Sequence, residues 1–172
     1  MLAVGKKIVF LRIFFWIEKS VHHAVVCLVS LTGIGLVLLI GLEVFFRYVV
    51  GRALSWPEEV AGIMFVWFTI FGVVLITRSE EHVEFTFLLG RMGSRLQKCV
   101  RIFAQSVICL LALAMIVYGY RYAEIFGFER TPAAGINIVW LNAAMPVGGS
   151  LILFYSLRSI LKIFYTSMRV GD

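Results

Sequence analysis

The chain carries little charge, and what it has is kept out of four long stretches. Only 15% of its 172 residues are Asp, Glu, Lys or Arg, while 61% are hydrophobic. A soluble domain of this size has no use for so much apolar surface, so the composition is that of an integral membrane protein. Cysteine is sparse as well. Cys27, Cys99 and Cys109 are too scattered for a disulfide framework or a thiolate metal site, and read as small buried hydrophobes. The histidines His22, His23 and His82 all lie outside the uncharged stretches, so no imidazole pair sits inside facing helices to ligate haem. There are no paired acids in mid-stretch, no Ser/His/Asp set, no phosphate-binding glycine loop and no metal motif. Neither an enzyme nor a cofactor is expected.

What is present is length without charge. Ala24–Leu42 has 19 uncharged residues, Val60–Thr77 has 18, Ile102–Tyr120 has 19 and Ala133–Leu157 has 25. A helix needs roughly 20 apolar residues to cross about 30 Å of hydrocarbon. Backbone groups in lipid must be satisfied within their own segment, and strand-like alternation is missing, so the spans are helices. The expected fold is all-α: one membrane domain over 1–172, with spans near 24–47, 56–77, 101–122 and 136–160.

Basic residues fall unevenly between the two sides. Lys6, Lys7, Arg12 and Lys19 precede span one. Arg78, Arg91, Arg95, Lys98 and Arg101 lie between spans two and three, and Arg158, Lys162 and Arg169 follow most of span four. That side carries twelve cations against four, Arg47, Arg52, Arg121 and Arg130, on the other. The positive-inside rule then puts both termini in the cytoplasm of a multi-pass protein. The net charge of +6 follows the membrane sides rather than forming a nucleic-acid patch.

Lys6 and Lys7 followed by an apolar run imitate a signal peptide, but Arg12 interrupts the run and no small-residue cleavage site follows. Residues 6–23 instead suggest a retained amphipathic helix in the cytoplasmic interface, resting on phospholipid. Residues 85–99 are a second in-plane candidate, with Arg91, Arg95 and Lys98 on a basic face. A plain basic loop is the alternative, and Gly90 and Gly93 favour it. His82, beside Arg78 at the same level, reads as an interface residue bonding a loop.

Between spans one and two runs Arg47-Tyr48-Val49-Val50-Gly51-Arg52-Ala53-Leu54-Ser55-Trp56-Pro57-Glu58-Glu59. Ser55 and Glu58 have capping-box spacing, Pro57 suits a first turn, and Glu58 and Glu59 meet the positive end of the helix dipole. Trp56 is an interface anchor. Glu43 and Arg47 have the favourable order for an i,i+4 ion pair, with contact to another subunit as the alternative. In span four, Trp140 belongs to the outer aromatic belt, Asn142 requires a partner, and Pro146 is expected to kink the helix. Ala144 and Gly148 form a small-residue seam for a neighbouring helix.

Taken together, Arg47-Tyr48, Leu54-Ser55-Trp56, Glu58-Glu59, Phe65-Val66-Trp67, Gly72, Arg78, His82-Val83, Trp140 and Pro146-Val147-Gly148 make a specific pattern. The chain resembles the small membrane subunit of tripartite ATP-independent periplasmic (TRAP) transporters, over essentially its whole length and most strongly over residues 43–89. It departs at Thr86, where the family often has an acid, with Glu84 nearby. The resemblance implies a scaffold role in the bacterial inner membrane. The partners it implies are a large membrane subunit, which carries an organic acid such as sialic acid or a dicarboxylate and couples it to Na⁺, and a periplasmic binding protein. Any Na⁺ is expected on the large subunit. The alternatives are a cofactor-bearing redox subunit and a small homo-oligomeric channel or exporter.

Overall fold

The structure is a computed structural model that describes the backbone of residues 2–79 and 93–169. It describes the side chains of Trp16, residues 18–78, and residues 93, 96, 97 and 99–160. Helix α1 runs Leu2–Tyr48, α2 Trp56–Ser79, α3 Ser94–Phe126, the short α4 Val139–Asn142, and α5 Ala144–Arg169. No strand occurs among the described residues; an isolated bridge pairs Arg130 with Asn137. Four stretches are long and apolar enough to cross a membrane: Glu18–Tyr48, Trp56–Arg78, Cys99–Phe126 and Val139–Ile160.

The first departure from expectation is at the N-terminus. Residues 6–23 are not set off from span one, because both belong to the single 47-residue helix α1. No Gly or Pro occurs from Lys6 to Thr32 to break the ladder. At 1.5 Å per residue α1 is about 70 Å long, well beyond the hydrocarbon thickness. Its C-terminal end is tied to α2 by only seven residues, so the excess lies on the N-terminal side. That short link turns at Gly51, whose φ of +70° is open to glycine at little cost. The turn lets the Arg52 N–H reach back to the Phe46 carbonyl at 3.1 Å. Residues 80–92, which include most of the second in-plane candidate, lie outside the described residues. The described part from Ser94 onward is the first turn of α3, continuous with span three.

The largest helix pairings are α3 with α5, α1 with α2, and α2 with α5. The helices therefore form a row in the order α1, α2, α5, α3, and α5 is the most buried. The shared core consists of Val25, Phe71, Val74, Ala112, Ile152 and Tyr155. Close approach in the row depends on two adjacent glycines of α5. A side chain on Gly148 would collide with Ile70 of α2, and a Cβ on Gly149 would lie 2.9 Å from the Ala112 carbonyl of α3. The expected small-residue seam of Ala144 and Gly148 is buried, and α2 fills it at Gly148. On the stripe of α5 that Gly149 shares, facing α3, Ser156 Oγ donates to Gln105 Oε1 at 2.7 Å, and the Cys109 thiol donates to Ser156 Oγ at 3.3 Å. These polar atoms face a neighbouring helix rather than lipid, as the absence of water demands.

The interruption in span four comes earlier than Pro146. It is at Ala143, between α4 and α5. A proline ring crowds the carbonyl four residues back and cannot donate to it. For Pro146 that carbonyl belongs to Asn142, so the ladder breaks there and Pro146 sits in the first turn of α5.

Candidate functional site

Polar side chains gather at the two ends of the row. At the end where α2 begins, Glu59 is the organising residue. Its Oε1 accepts the Ala133 N–H at 2.9 Å, and its Oε2 accepts the Ala134 N–H at 2.7 Å. One carboxylate thereby clamps the α3–α4 connection onto the first turn of α2. The connection is itself built to present those amides. Thr131 N–H bonds the Ile136 carbonyl at 2.8 Å, and Gly135 N–H bonds the Thr131 carbonyl at 2.9 Å. Gly135 has φ +67°, and Arg130 Nη1 donates to its carbonyl at 3.2 Å. Asn137 Oδ1 accepts the Val139 N–H at 2.8 Å and starts α4. Deeper in, Trp67 Nε1 donates to the Trp140 carbonyl at 2.8 Å and joins α2 to α4.

Around this clamp the expected residues have mixed fates. Arg47 Nη2 donates to Glu43 Oε1, forming the intrachain ion pair. The reciprocal capping bonds of Ser55 and Glu58 are not among the side-chain bonds of the described residues, and both residues are exposed. The engaged acid is the next one, because the loop supplies two amide donors to Glu59 and leaves Glu58 to solvent. Pro57 is buried in the first turn, while Trp56 and Trp140 are exposed, at 41% and 64%. Asn142 is buried at 5%, but its Nδ2 finds no partner among the described residues.

The opposite end centres on Glu18, which lies within the stretch 6–23 that the sequence suggests only as an amphipathic helix. Its side chain is 5% exposed, with Oε1 2.7 Å from Arg158 Nη1 and 3.5 Å from Arg78 Nε. Three helices meet in this cluster: α1 contributes Glu18, α2 Arg78 and α5 Arg158. Lys19, His22 and His23 complete a polar cavity of about 450 Å³. His23 Nδ1 lies 2.7 Å from the Lys19 carbonyl one turn back. His82 and Arg91, expected at the same level, lie outside the described residues, as does the Arg95 side chain. The signal for Glu18 is present in the sequence, since an acid begins span one where Arg78 and Arg158 end spans two and four. It becomes visible only once the three helix ends are brought to one depth.

No group of His, Cys, Asp or Glu among the described residues is placed to hold a metal ion. Among the described residues the charged side chains gather at the two ends of the row, the arrangement of a multi-pass membrane protein. Comparison with known proteins agrees. The sialic acid TRAP transporter small permease protein SiaQ of Vibrio cholerae is 24% identical over 126 residues, 73% of each chain. A putative TRAP transporter small permease protein of Haemophilus influenzae is 25% identical over 162 residues, 92% of this chain and 93% of that one. The sialic acid TRAP transporter permease protein SiaT of Haemophilus influenzae is 30% identical over 112 residues, which is 65% of this chain and 18% of that longer protein. The model of the tripartite ATP-independent periplasmic transporters, DctQ component, matches residues 36–166, and the chain belongs to that family as a TRAP transporter small membrane subunit.

Proposed function

We propose that the protein is the fixed scaffold of a Na⁺-coupled uptake system for an organic acid of the sialic acid or dicarboxylate type. In this reading it sits in the bacterial inner membrane with both termini cytoplasmic. It pairs with a large membrane subunit that carries substrate and Na⁺, and with a periplasmic binding protein. The observation that carries the reading is the distribution of apolar surface. Along α1, Leu31, Ile34, Val37 and Leu38 are 60%, 60%, 72% and 67% exposed. Along α3, Phe103 and Leu110 are 71% and 70% exposed. The outer helices of the row thus offer wide apolar faces, while the charged groups are confined to its ends. A carrier needs polar groups converging near the midplane. A scaffold needs a stiff frame and a broad face for a larger partner, and the match to less than a fifth of a longer permease supports a larger membrane partner.

The Glu59-clamped connection, on the periplasmic side in this topology, is well placed to meet the binding protein. The test is co-expression with a large TRAP permease subunit and a periplasmic binding protein from the same organism, followed by affinity purification and uptake in proteoliposomes. The expected result is a stable two-subunit membrane complex whose Na⁺-driven uptake is lost without this chain. Full uptake by the large subunit alone, or flux through this chain alone, overturns the proposal.

A further inference from the structure

The connection between α3 and α4 is a small structure of its own. Its base is paired: Arg130 bridges to Asn137, and the Ile138 N–H bonds the Glu129 carbonyl at 3.0 Å. Above the base, the Thr131 N–H bonds the Ile136 carbonyl at 2.8 Å, and Thr131 Oγ1 accepts the Ile136 N–H at 3.0 Å. Pro132, Ala133 and Ala134 make the turn at the tip, closed by the Gly135 N–H on the Thr131 carbonyl at 2.9 Å. The base is anchored on both sides. The Glu129 N–H bonds the Phe126 carbonyl at the end of α3 at 3.2 Å, and the carbonyls of Asn137 and Ile138 accept amides of α4. The tip is attached differently. Beyond the base, the described hydrogen bonds from this connection to another helix all end on the Glu59 carboxylate, which holds the Ala133 and Ala134 amides.

Packing adds little to that hold. None of residues 127–138 is buried, and Phe128 is 93% exposed. A segment that brings no buried side chain to the core, and whose hydrogen bonds are mostly its own, can leave the frame without unfolding it. The pair of bonds to Glu59 opposes its leaving. One hydrogen bond to a charged group is worth about tenfold or more in an equilibrium constant. A catch made of two, at an edge open to water, leaves the competing state on the order of 1% populated.

We infer that the α3–α4 connection is a hinged tab with two states, shut on α2 and lifted, and that Glu59 is its catch. The tab turns about the base pair of Glu129 and Ile138 and keeps its internal bonds in both states. Lifting frees the Glu59 carboxylate and the two amide donors together. In the topology proposed above, on which this last step rests, those groups face the periplasm, and a docked protein meets them only while the tab is up.

The experiment is double electron–electron resonance on the full chain in nanodiscs. The three native cysteines are changed to alanine, and spin labels are placed at Ala133→Cys on the tip and Leu157→Cys toward the far end of α5, both exposed positions. The expected result is one dominant distance with a minor second one, on the order of 1–10%. Glu59→Ala should make the second distance dominant. Glu59→Gln, which is isosteric and keeps one acceptor oxygen, should give a mixture. Glu58→Ala, at the exposed neighbouring acid, should change nothing. Hydrogen exchange separates lifting from melting: in Glu59→Ala the Ala133 and Ala134 amides should exchange about tenfold faster or more, while Thr131 and Ile138 keep their protection. An unchanged distance in both Glu59 variants overturns the inference. So does an equal shift in Glu58→Ala, or loss of protection at Thr131 and Ile138, which would mean that the connection melts. All of these are read on this chain alone, so the scaffold role, tested by complex formation and uptake, stands or falls separately.

Discussion

Removing Arg158 should damage this protein more than removing the acid it binds. Glu18 is 5% exposed and has Arg158 at 2.7 Å and Arg78 at 3.5 Å, whereas the two arginine side chains are 26% and 31% exposed. Two unit charges about 4 Å apart at an effective dielectric near 20 attract by roughly 4 kcal/mol. Deleting one partner of a buried pair typically costs about 3–5 kcal/mol, because the other charge is stranded. Among the described residues, Arg158→Gln leaves Glu18 with the more distant Arg78 as its ion-pair partner, so the expected loss is about 3 kcal/mol, the low end of that range. Glu18→Gln strands no buried charge, because both arginines can turn toward water or headgroups. Its expected loss is about 1 kcal/mol, the scale of one ordinary hydrogen bond.

The double variant Glu18→Gln/Arg158→Gln then decides the matter. If the cost of Arg158→Gln is the stranded acid, neutralising that acid rescues it, and the double variant is more stable than Arg158→Gln alone. The expected coupling is about 2 kcal/mol. The measurement is reversible unfolding in one fixed lipid–detergent mixture, read by near-ultraviolet circular dichroism. Losses that simply add, within about 0.5 kcal/mol, or an Arg158→Gln no worse than Glu18→Gln, refute the reasoning.

At the other end, Glu59→Gln should raise hydrogen exchange at the Ala133 and Ala134 amides, while protection in the middle of α2 and α5 stays unchanged; unchanged exchange at those two amides removes the clamp. Gly149→Val forces a Cβ to within 2.9 Å of the Ala112 carbonyl and should cost about 1–3 kcal/mol by overpacking, measured by the same unfolding assay. Ser156→Ala deletes the hydroxyl shared by Gln105 and Cys109 and should cost about 0.6 kcal/mol, and at most roughly 1.7, the scale of polar contacts between membrane helices.

The four spans were legible because each is an uninterrupted uncharged run, and hydrocarbon tolerates nothing else over that length. The close approach of Ile70 to Gly148 has a similar physical basis, since helices without a hydrophobic force between them must approach closely to attract. Local chemistry was a poorer guide at the ends. Ser55 and Glu58 have the spacing of a capping box, yet the amides that capture a carboxylate lie 74 and 75 residues away in sequence and select Glu59. A proline marks a discontinuity, but the one in span four falls at Ala143, because the carbonyl it crowds belongs to Asn142. Glu18 was hidden because its meaning depends on the depths of three separate helix ends. The continuity of α1 was hidden because amphipathic patterning describes a face and says nothing about where a helix stops.

These contacts bear on how such a row keeps its shape. Lipid chains are as apolar as leucine, so burying leucine between helices gains little in a membrane, and packing together with polar contacts must hold the row together. Those contacts are divided by position. Glu59 and Trp67 fasten α2 to the α3–α4 connection and α4 at one end, and Glu18 fastens α1 to α2 and α5 at the other. Gly148 and Gly149 set how closely α2 and α3 approach α5 between them. Sliding one helix along another by a turn, about 5.4 Å, would break an end cluster and drive a neighbour's side chains against a glycine notch of fixed position. Among the described residues, the outward faces of α1 and α3 have no comparable polar fastening. A partner seated there can be selected by shape and can move without pulling on the frame, which is the mechanical property that the proposed scaffold role requires.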